Sequence, residues 1–151
     1  MSHPVRHIEP TDRGEWMRMR AVFWPRDPGY DDHEAEADRF FSEAQTKCAV
    51  LVVPTSSGGL CGFAEVALRT EYVEGCDTKP VGYLEGIWVD PEARCGGVAA
   101  GLCAAAVEWC RAQGCTEMAS DAEAHNADSI AWHASVGFEQ VSTVVCFRRE
   151  I

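Results

Sequence analysis

The sequence has no hydrophobic run long enough to cross a membrane and no apolar segment near its start. The longest apolar run, Val98 to Val107, is too short to span a bilayer and predicts a buried helix instead. Residues 1–7 lack the apolar core of a signal peptide. We therefore expect a cytoplasmic chain whose 151 residues, without repeats or linkers, form one domain spanning residues 1–151.

Basic residues are also scarce, with 13 Lys and Arg against 24 Asp and Glu and a formal net charge of −11. A surface of this charge repels nucleic acids and anionic membranes and attracts cations. We therefore expect neither a nucleic-acid partner nor a membrane partner. The acidic charge alone leaves two readings open, a solubilising surface or an acidic cleft for a polycation.

Cysteine pairing motifs are absent, although the chain has eight cysteines. No C-x-x-C pair occurs, and the histidines show no ligand spacing, so we predict no metal site. Most of the cysteines lie in apolar stretches and are predicted to be buried free thiols that pack as small hydrophobic groups. These are Cys48, Cys61, Cys103, Cys110, Cys115 and Cys146.

Apolar periodicity and turn signals predict the element order β-α-α-β-β-β-α-β-α-β, a mixed α/β fold of one sheet packed against helices. Turns rich in Pro and Gly separate most of these elements, and Gly114 ends the Ala-rich helix. The predicted strands are Val5–Glu9, Cys48–Val53, Leu60–Thr70, Val81–Val89, Thr116–Ser120 and about Val141–Arg148. The predicted helices are Thr11 to about Trp24, Asp32 to about Gln45, Gly97–Ala112 and Ala127–Ser135.

The segment from Leu84 to Ala99 has the pattern of an anion-binding cradle. An apolar strand that includes Ile87, Trp88 and Val89 is followed by a Gly-containing loop that opens directly into a helix. Backbone N–H groups converge on an anion in that geometry. The Gly-Lys-Ser/Thr of a Walker A loop is absent, and Gly96, Gly97 and Gly101 have the wrong spacing for a dinucleotide fingerprint.

The remaining pattern, Arg94-Cys95-Gly96-Gly97-Val98-Ala99, together with the later Gly137-Phe138, resembles the GCN5-related N-acetyltransferases. Their pyrophosphate loop has the form Q/R-x-x-G-x-G/A. The resemblance implies a central, mostly antiparallel sheet with a splayed strand pair, flanked by about four helices. It also implies that acetyl-CoA binds at residues 94–99, through the backbone N–H groups of residues 95–99. The second loop position is often basic in this family and is Cys95 here.

Further segments resemble the bacterial aminoglycoside 6′-N-acetyltransferases over nearly the whole chain. They are Trp24-Pro25 and the runs 71–75, 83–89 and 118–121. The resemblance implies acetyl transfer from acetyl-CoA to the 6′-amine of an aminoglycoside, and hence antibiotic resistance. A neutral amine is itself a good nucleophile, so direct attack in a ternary complex needs no covalent enzyme intermediate. Relatives often form homodimers, and the alternating apolar residues from Val141 to Phe147 are candidates for an interface.

Two acids, Glu85 and Asp121, are the first candidates for binding and proton removal. Glu85 lies in a predicted central strand and Asp121 at the end of another, where charged residues are unusual. The resemblance assigns both to aminoglycoside binding, with either as a candidate base. The alternatives are a helix-capping or turn role for Asp121 and an outward-facing strand position for Glu85.

The remaining candidates are assigned mainly by the resemblance. Trp24 and Tyr72 are candidate aromatic walls for a cationic sugar, because aromatic faces attract cations, and Asp27 would add to an acidic rim. Backbone groups of Ile87, Trp88 and Val89 would polarise the thioester carbonyl. Asn126 would cap the last helix or reach the pantetheine arm. His133 occupies the position where many acetyltransferases have a tyrosine near the departing sulfur, so it is either a proton donor to the thiolate or a packed bystander.

Two other functions fit the same sequence. The first is an acetyltransferase for another cationic amine, such as a polyamine or a peptide N-terminus. The second is a module that binds acetyl-CoA without catalysis. The charge balance is compatible with all of these functions, so only an activity measurement separates them.

Overall fold

The computed structural model describes residues 3–25 and 32–151. Its five strands are β1 (Arg6–His7), β2 (Cys48–Pro54), β3 (Leu60–Arg69), β4 (Val81–Val89) and β5 (Met118–Ser120). Its four α-helices are α1 (Arg13–Phe23), α2 (His33–Ser42), α3 (Val98–Ala112) and α4 (Ala127–Ser135). Short 3-10 turns at Pro10–Asp12 and Pro91–Ala93 precede α1 and the loop before α3.

The strands form one sheet in the order β1-β2-β3-β4-β5. Neighbouring strands are antiparallel except β4 and β5, which run parallel. The expected mixed α+β fold with a mostly antiparallel sheet and about four helices is therefore confirmed.

Period-two alternation places the two faces of the sheet in different cores. On β2, Leu51 and Val53 belong to a cluster with Val98 and Leu102 of α3. The intervening Val50 and Val52 pack instead with Trp16 and other residues on the α1 and α2 side. The Ala-rich helix α3 thus covers one face, and α1 and α2 cover the other.

The sheet divides between β4 and β5. These strands pair only over Gly82–Leu84 and Met118–Ser120, and β4 then continues to Val89 paired with β3 but not with β5. At the same point β3 and β4 shift register, because Glu65 pairs with Gly86 whereas Val66 pairs with Leu84. Glu85 is therefore the extra residue of a β-bulge, a device that bends a strand and re-aims its side chains. We call the place where β4 and β5 separate the fork.

The predicted C-terminal strand near Val141–Arg148 is wrong. Residues 139–151 have no regular secondary structure and are exposed, and the side chain of Phe147 is 93% exposed. An extended segment becomes a strand only when a neighbouring strand accepts and donates its backbone hydrogen bonds. No strand in the described part of this chain pairs with it.

All eight cysteines are free thiols, including the six for which this was predicted. Cys48 and Cys61 are half-buried, not fully buried as predicted. Cys103, Cys110 and Cys115 are buried, and burial raises the pKa of the Cys110 thiol to about 12. The prediction is wrong for Cys146, which is exposed because the C-terminal segment does not pack on the sheet. No helix within residues 3–25 and 32–151 has the length and apolarity to cross a membrane.

Candidate active site

A cavity of about 630 Å³ opens at the fork. This volume lies in the range of small-molecule sites. Its lining includes three of the residues singled out from the sequence, Trp24, Glu85 and Asp121. The full set is Arg20, Phe23, Trp24, Pro25, Glu65, Glu85 and Asp121. We call this cavity the acidic cleft, because three carboxyl groups line it.

Asp121 follows β5 directly and is held by a buried tyrosine. The Tyr83 hydroxyl donates a hydrogen bond of 2.5 Å to Asp121 Oδ2. Burial of Tyr83 raises the pKa of its hydroxyl, and the bond to Asp121 raises it further. Tyr83 therefore stays protonated and remains a donor, which leaves Oδ1 of Asp121 for another partner.

Glu85 projects from the bulge of β4 and forms an ion pair with Arg69. One terminal nitrogen of Arg69 donates to both carboxylate oxygens at 3.0 Å. The Arg69 guanidinium also lies over the Tyr83 ring, 3.5 Å from its centroid. Both side chains of the pair are substantially exposed, and such pairs contribute little stability and exchange partners easily. A cationic ligand therefore competes with Arg69 for Glu85.

Sequence reasoning missed Glu65, the third carboxyl group of the acidic cleft. It lies on β3, where the Trp16 indole N–H donates to Oε1 at 3.0 Å and Nε of Arg20 is 3.2 Å from the same oxygen. Burial raises the pKa of Glu65 to about 7, against the opposing effect of Arg20. The available signal was a charged residue flanked by apolar residues inside a predicted strand.

Arg20 is only 5% exposed, and it forms the floor of the acidic cleft. It pairs with Glu36 of α2 as well as with Glu65. Its guanidinium lies 5.4 Å from the Trp16 ring centroid and 5.1 Å from that of Trp24. Nothing in the sequence indicated these partners.

Trp24, the expected aromatic wall, is held by contacts on two sides. Its backbone carbonyl accepts a hydrogen bond of 2.8 Å from Nε2 of His33. Its ring lies against Gly86 so closely that a Cβ on Gly86 would approach Trp24 Cζ2 to 2.2 Å. Gly86, beside the bulge, therefore leaves the space that the Trp24 ring needs to pack against β4.

The predicted phosphate loop lies between β4 and α3. Gly97, at the N-cap of α3, has a φ of 84°, and Cys95 has a φ of 62°. Positive φ is routine for glycine and costs other residues energy. The first amides of a helix have no intrahelical acceptor and favour an anion. Val98 and Ala99 open α3 and supply such amides, whereas Cys95, Gly96 and Gly97 are exposed in the loop before it.

The Arg94 side chain folds back on β4. Its Nε donates to the Val89 carbonyl at 2.9 Å, and its guanidinium lies 4.8 Å from the Trp88 ring centroid. The expected splayed strand is present beside it, because β4 runs past the last pair with β5 through Ile87, Trp88 and Val89. Backbone groups of this stretch that face away from β3 therefore border the fork, where a thioester carbonyl can reach them.

Asn126 and His133 both make hydrogen bonds within the protein. Asn126 caps α4 by accepting from the Ser129 N–H at 3.1 Å. Nδ1 of His133 lies 2.7 Å from the Ser129 carbonyl oxygen, and Nε2 lies 3.0 Å from Ser120 Oγ. The cofactor role of Asn126 stays a prediction.

One predicted substrate residue, Tyr72, is not brought into the acidic cleft. Tyr72 is 73% exposed, does not line the cavity, and donates its hydroxyl hydrogen to Glu74 at 3.1 Å. The predicted role of Asp27 concerns a position outside the described residues. Among the residues that are described, no three His, Cys, Asp or Glu side chains converge in the manner of a metal site.

Comparison with known proteins agrees with this geometry. The model of the acetyltransferase (GNAT) family matches residues 16–138. The aminoglycoside N(6′)-acetyltransferase type 1 of Klebsiella aerogenes is 40% identical over 148 residues, which are 97% of this chain and 96% of that protein. The Serratia marcescens protein of the same name is 39% identical, over 90% of this chain and 91% of its own length.

Solved structures give the same result. AAC(6′)-Iy in complex with the bisubstrate analogue CoA-S-monomethyl-acetylneamine superimposes with a TM-score of 0.88 at 34% identity, covering all of both chains. The 6′-N-acetyltransferase AAC(6′)-Ih of Acinetobacter baumannii has a TM-score of 0.87 at 33% identity, covering 98% of each chain. With its fork, its phosphate loop and these relatives, the chain belongs to the GNAT family of acetyltransferases.

Proposed function

We propose that this chain transfers the acetyl group of acetyl-CoA to the 6′-amine of aminoglycosides and thereby confers resistance to them. The observation that carries the proposal is the acidic cleft, in which three carboxyl groups and Trp24 meet at the fork. Relatives at 35–40% identity over most of this chain are named aminoglycoside 6′-acetyltransferases.

The acidic cleft suits a polycationic sugar. Asp121 offers a free carboxylate oxygen, and Glu85 can exchange Arg69 for a substrate ammonium group. The ring of Trp24 supplies an aromatic face that packs against a sugar and attracts its cations. The net charge of −11 adds long-range attraction for the same ligand.

The reaction needs only the two substrates in contact. The neutral 6′-amine attacks the thioester carbonyl, a C–N bond forms, the C–S bond breaks and CoA leaves as a thiolate. The amine proton goes to Asp121 or Glu85, directly or through water. Backbone groups of residues 87–89 stabilise the negative charge that develops on the carbonyl oxygen.

Acetyl-CoA would lie along the other side of the fork. Its pyrophosphate would bind the amides of residues 95–99 at the start of α3, with Arg94 holding the loop on β4. Asn126 would face the pantetheine arm from the start of α4. The residues present fit this co-substrate, because the loop needs amides and no particular side chain.

An acetyl-CoA turnover assay tests the proposal. The wild-type chain should acetylate a kanamycin-type substrate and fail on its analogue with a 6′-hydroxyl. Asp121→Ala should lower kcat/KM about 100-fold, whereas Glu108→Ala, an exposed acid on the outer side of α3, should not change it. Equal activity on both drugs would refute 6′-transfer. Turnover only on polyamines or peptides would establish the first alternative function. Acetyl-CoA binding with no turnover on any amine would establish the second.

We also propose a homodimer in which the C-terminal segment of each copy pairs with its partner. Val141, Val145 and Phe147 lie at alternate positions of this segment and are exposed, which is the spacing by which a strand presents one apolar face to a second copy. Phe147→Asp should convert a dimer to a monomer in sedimentation analysis. A wild-type monomer would refute this part of the proposal.

The proposal also covers the domain organisation and the cellular location of the chain. Residues 1–151 are expected to form a single acetyltransferase domain. The chain is expected to act in the cytoplasm, which its eight free thiols support, because free thiols persist in reducing compartments.

A further inference from the structure

A chain of hydrogen bonds joins α4 to both strands at the fork. Nε2 of His133 lies 3.0 Å from Ser120 Oγ, and that hydroxyl lies 3.1 Å from the Leu84 carbonyl oxygen. The other ring nitrogen lies 2.7 Å from the Ser129 carbonyl oxygen. The imidazole is half-buried and contacts the Trp132 and Phe138 rings edge to face, at centroid distances of 5.0 and 5.2 Å.

This link between His133, Ser120 and Leu84 lies immediately before the two acids of the fork in the sequence of each strand. Leu84 and Ser120 are the last paired residues of β4 and β5. The next residue on β4 is Glu85, and the next on β5 is Asp121. The position and direction of the Glu85 and Asp121 carboxylates therefore depend on the backbone geometry at Leu84 and Ser120. The parallel ladder ends at this pair, where the Ser120 hydroxyl, in contact with His133, adds a side-chain bond to the Leu84 carbonyl. The bond from Tyr83 to Asp121 is a second side-chain connection here.

The hydrogen-bond donors and acceptors around His133 limit what its ring can do. A carbonyl oxygen only accepts, so Nδ1 carries the hydrogen directed at Ser129. Nε2 then faces Ser120. In the imidazolium form it donates to the hydroxyl oxygen while Ser120 donates to the Leu84 carbonyl, which completes the link. When Nε2 instead accepts the hydroxyl hydrogen, the hydrogen bonds end at Ser120. Both ring nitrogens have partners inside the protein in either form. Neither has a free hydrogen directed at a departing sulfur.

We propose that His133 is a positioning residue that acts through Ser120 to fix the separation of Glu85 and Asp121, and not the acid that protonates the CoA thiolate. This inference rests on the proposed acetyl transfer. Displacing a reacting group by about 1 Å can cost about 100-fold in rate, so a link at the last strand pair controls how the acceptor amine is presented. The pyrophosphate loop, beyond the end of β4, does not depend on it.

Steady-state kinetics on Ser120→Ala, His133→Ala and the double variant tests the link. Each single variant should lower kcat/KM for the aminoglycoside about tenfold and change the KM for acetyl-CoA less than twofold. The double variant should lose no more than either single one, because the two residues form one path. His133→Gln should keep activity within about threefold of wild type, since its amide can still bond the Ser120 hydroxyl.

A matched control is Ser135→Ala. This serine is on the same helix and donates its hydroxyl to the Trp132 carbonyl, away from the strands, so its kinetics should match wild type. Thermal unfolding of every variant distinguishes a variant that fails to fold from a folded variant in which the carboxylates are displaced. Wild-type turnover on the 6′-amine establishes the activity first, so failure of the proposed function is seen independently of these variants.

Three results would overturn the inference. The first is an equal fall of kcat in His133→Ala and His133→Gln with Ser120→Ala unaffected, which would make His133 the thiolate acid. The second is losses that multiply in the double variant. The third is a lowered unfolding temperature in Ser120→Ala with unchanged aminoglycoside kinetics.

Discussion

The Tyr83 hydroxyl and the Asp121 carboxylate form a hydrogen bond of 2.5 Å between β4 and the end of β5. Tyr83 is buried, so this bond anchors an exposed acid to the interior of the sheet. Asp121 therefore enters the acidic cleft with one oxygen fixed and the other available.

Tyr83→Phe should reduce this anchoring while keeping the ring under Arg69. We expect a fall of about threefold to tenfold in kcat/KM for the aminoglycoside, the equivalent of roughly 1 kcal/mol for a lost hydrogen bond. A double-mutant cycle with Asp121→Asn gives the coupling between the two residues. Additive losses would show that Tyr83 acts independently of Asp121.

Gly86→Ala should displace the Trp24 ring, because the new methyl would lie 2.2 Å from Cζ2 and 2.8 Å from Cε1 of Phe23. We expect a rise of at least about fivefold in the aminoglycoside KM, and a loss of about 1–3 kcal/mol of stability from overpacking. Gly14→Ala, on α1 in open space, is the matched control. Wild-type kinetics in Gly86→Ala would exclude Trp24 as a wall of the site.

Glu65 gives the protein a specific pH dependence. Its pKa is about 7 in the folded protein against an ordinary value of 4.5, and burial is the main cause. The folded state thus binds this proton more tightly, so the free energy of unfolding should fall as pH rises from about 4.5 to 7. The fall should total roughly 3 kcal/mol.

Glu65→Gln, which cannot titrate, should lack this fall. Denaturant unfolding between pH 4.5 and 8 measures the difference in slope between the two proteins, with the exposed Glu108→Gln as control. Parallel pH profiles for wild type and Glu65→Gln would contradict the assignment.

Cys95→Arg should restore a cation to the phosphate loop. Cys95 is exposed beside the start of α3, where an added charge can approach the pyrophosphate. We expect the KM for acetyl-CoA to fall about threefold at low salt and the gain to disappear at high salt. Cys95→Ala, which adds no charge, should retain the wild-type KM.

The sequence predicted the parts of the fold that depend on local pattern. The apolar run of β4, the Ala-rich α3 and the Asn126 cap of α4 agree with the structure within a few residues. The C-terminal strand was wrong because strand formation depends on a distant partner. Periodicity shows which residues alternate along the chain, but it does not identify the strand with which they pair.

The candidate site was predicted in part for a similar reason. Glu85 and Asp121 stand out as acids in or beside apolar strands, and the structure brings them to one cavity. Arg20, Tyr83 and Glu65 were missed, because their roles arise from contacts between elements far apart in sequence. Tyr72 was placed near the substrate by resemblance, and its side chain does not line the cavity.

The length of β4 beyond the fork has a consequence for regioselectivity. From Glu85 to Val89 the strand advances about 13 Å, at about 3.3 Å per residue, and it is bonded along this stretch to β3. The acids at one end and the start of the phosphate loop at the other are therefore held at a fixed spacing. We therefore expect a drug with several amines to be acetylated at the amine that this spacing brings to the thioester, whatever the intrinsic reactivity of the others.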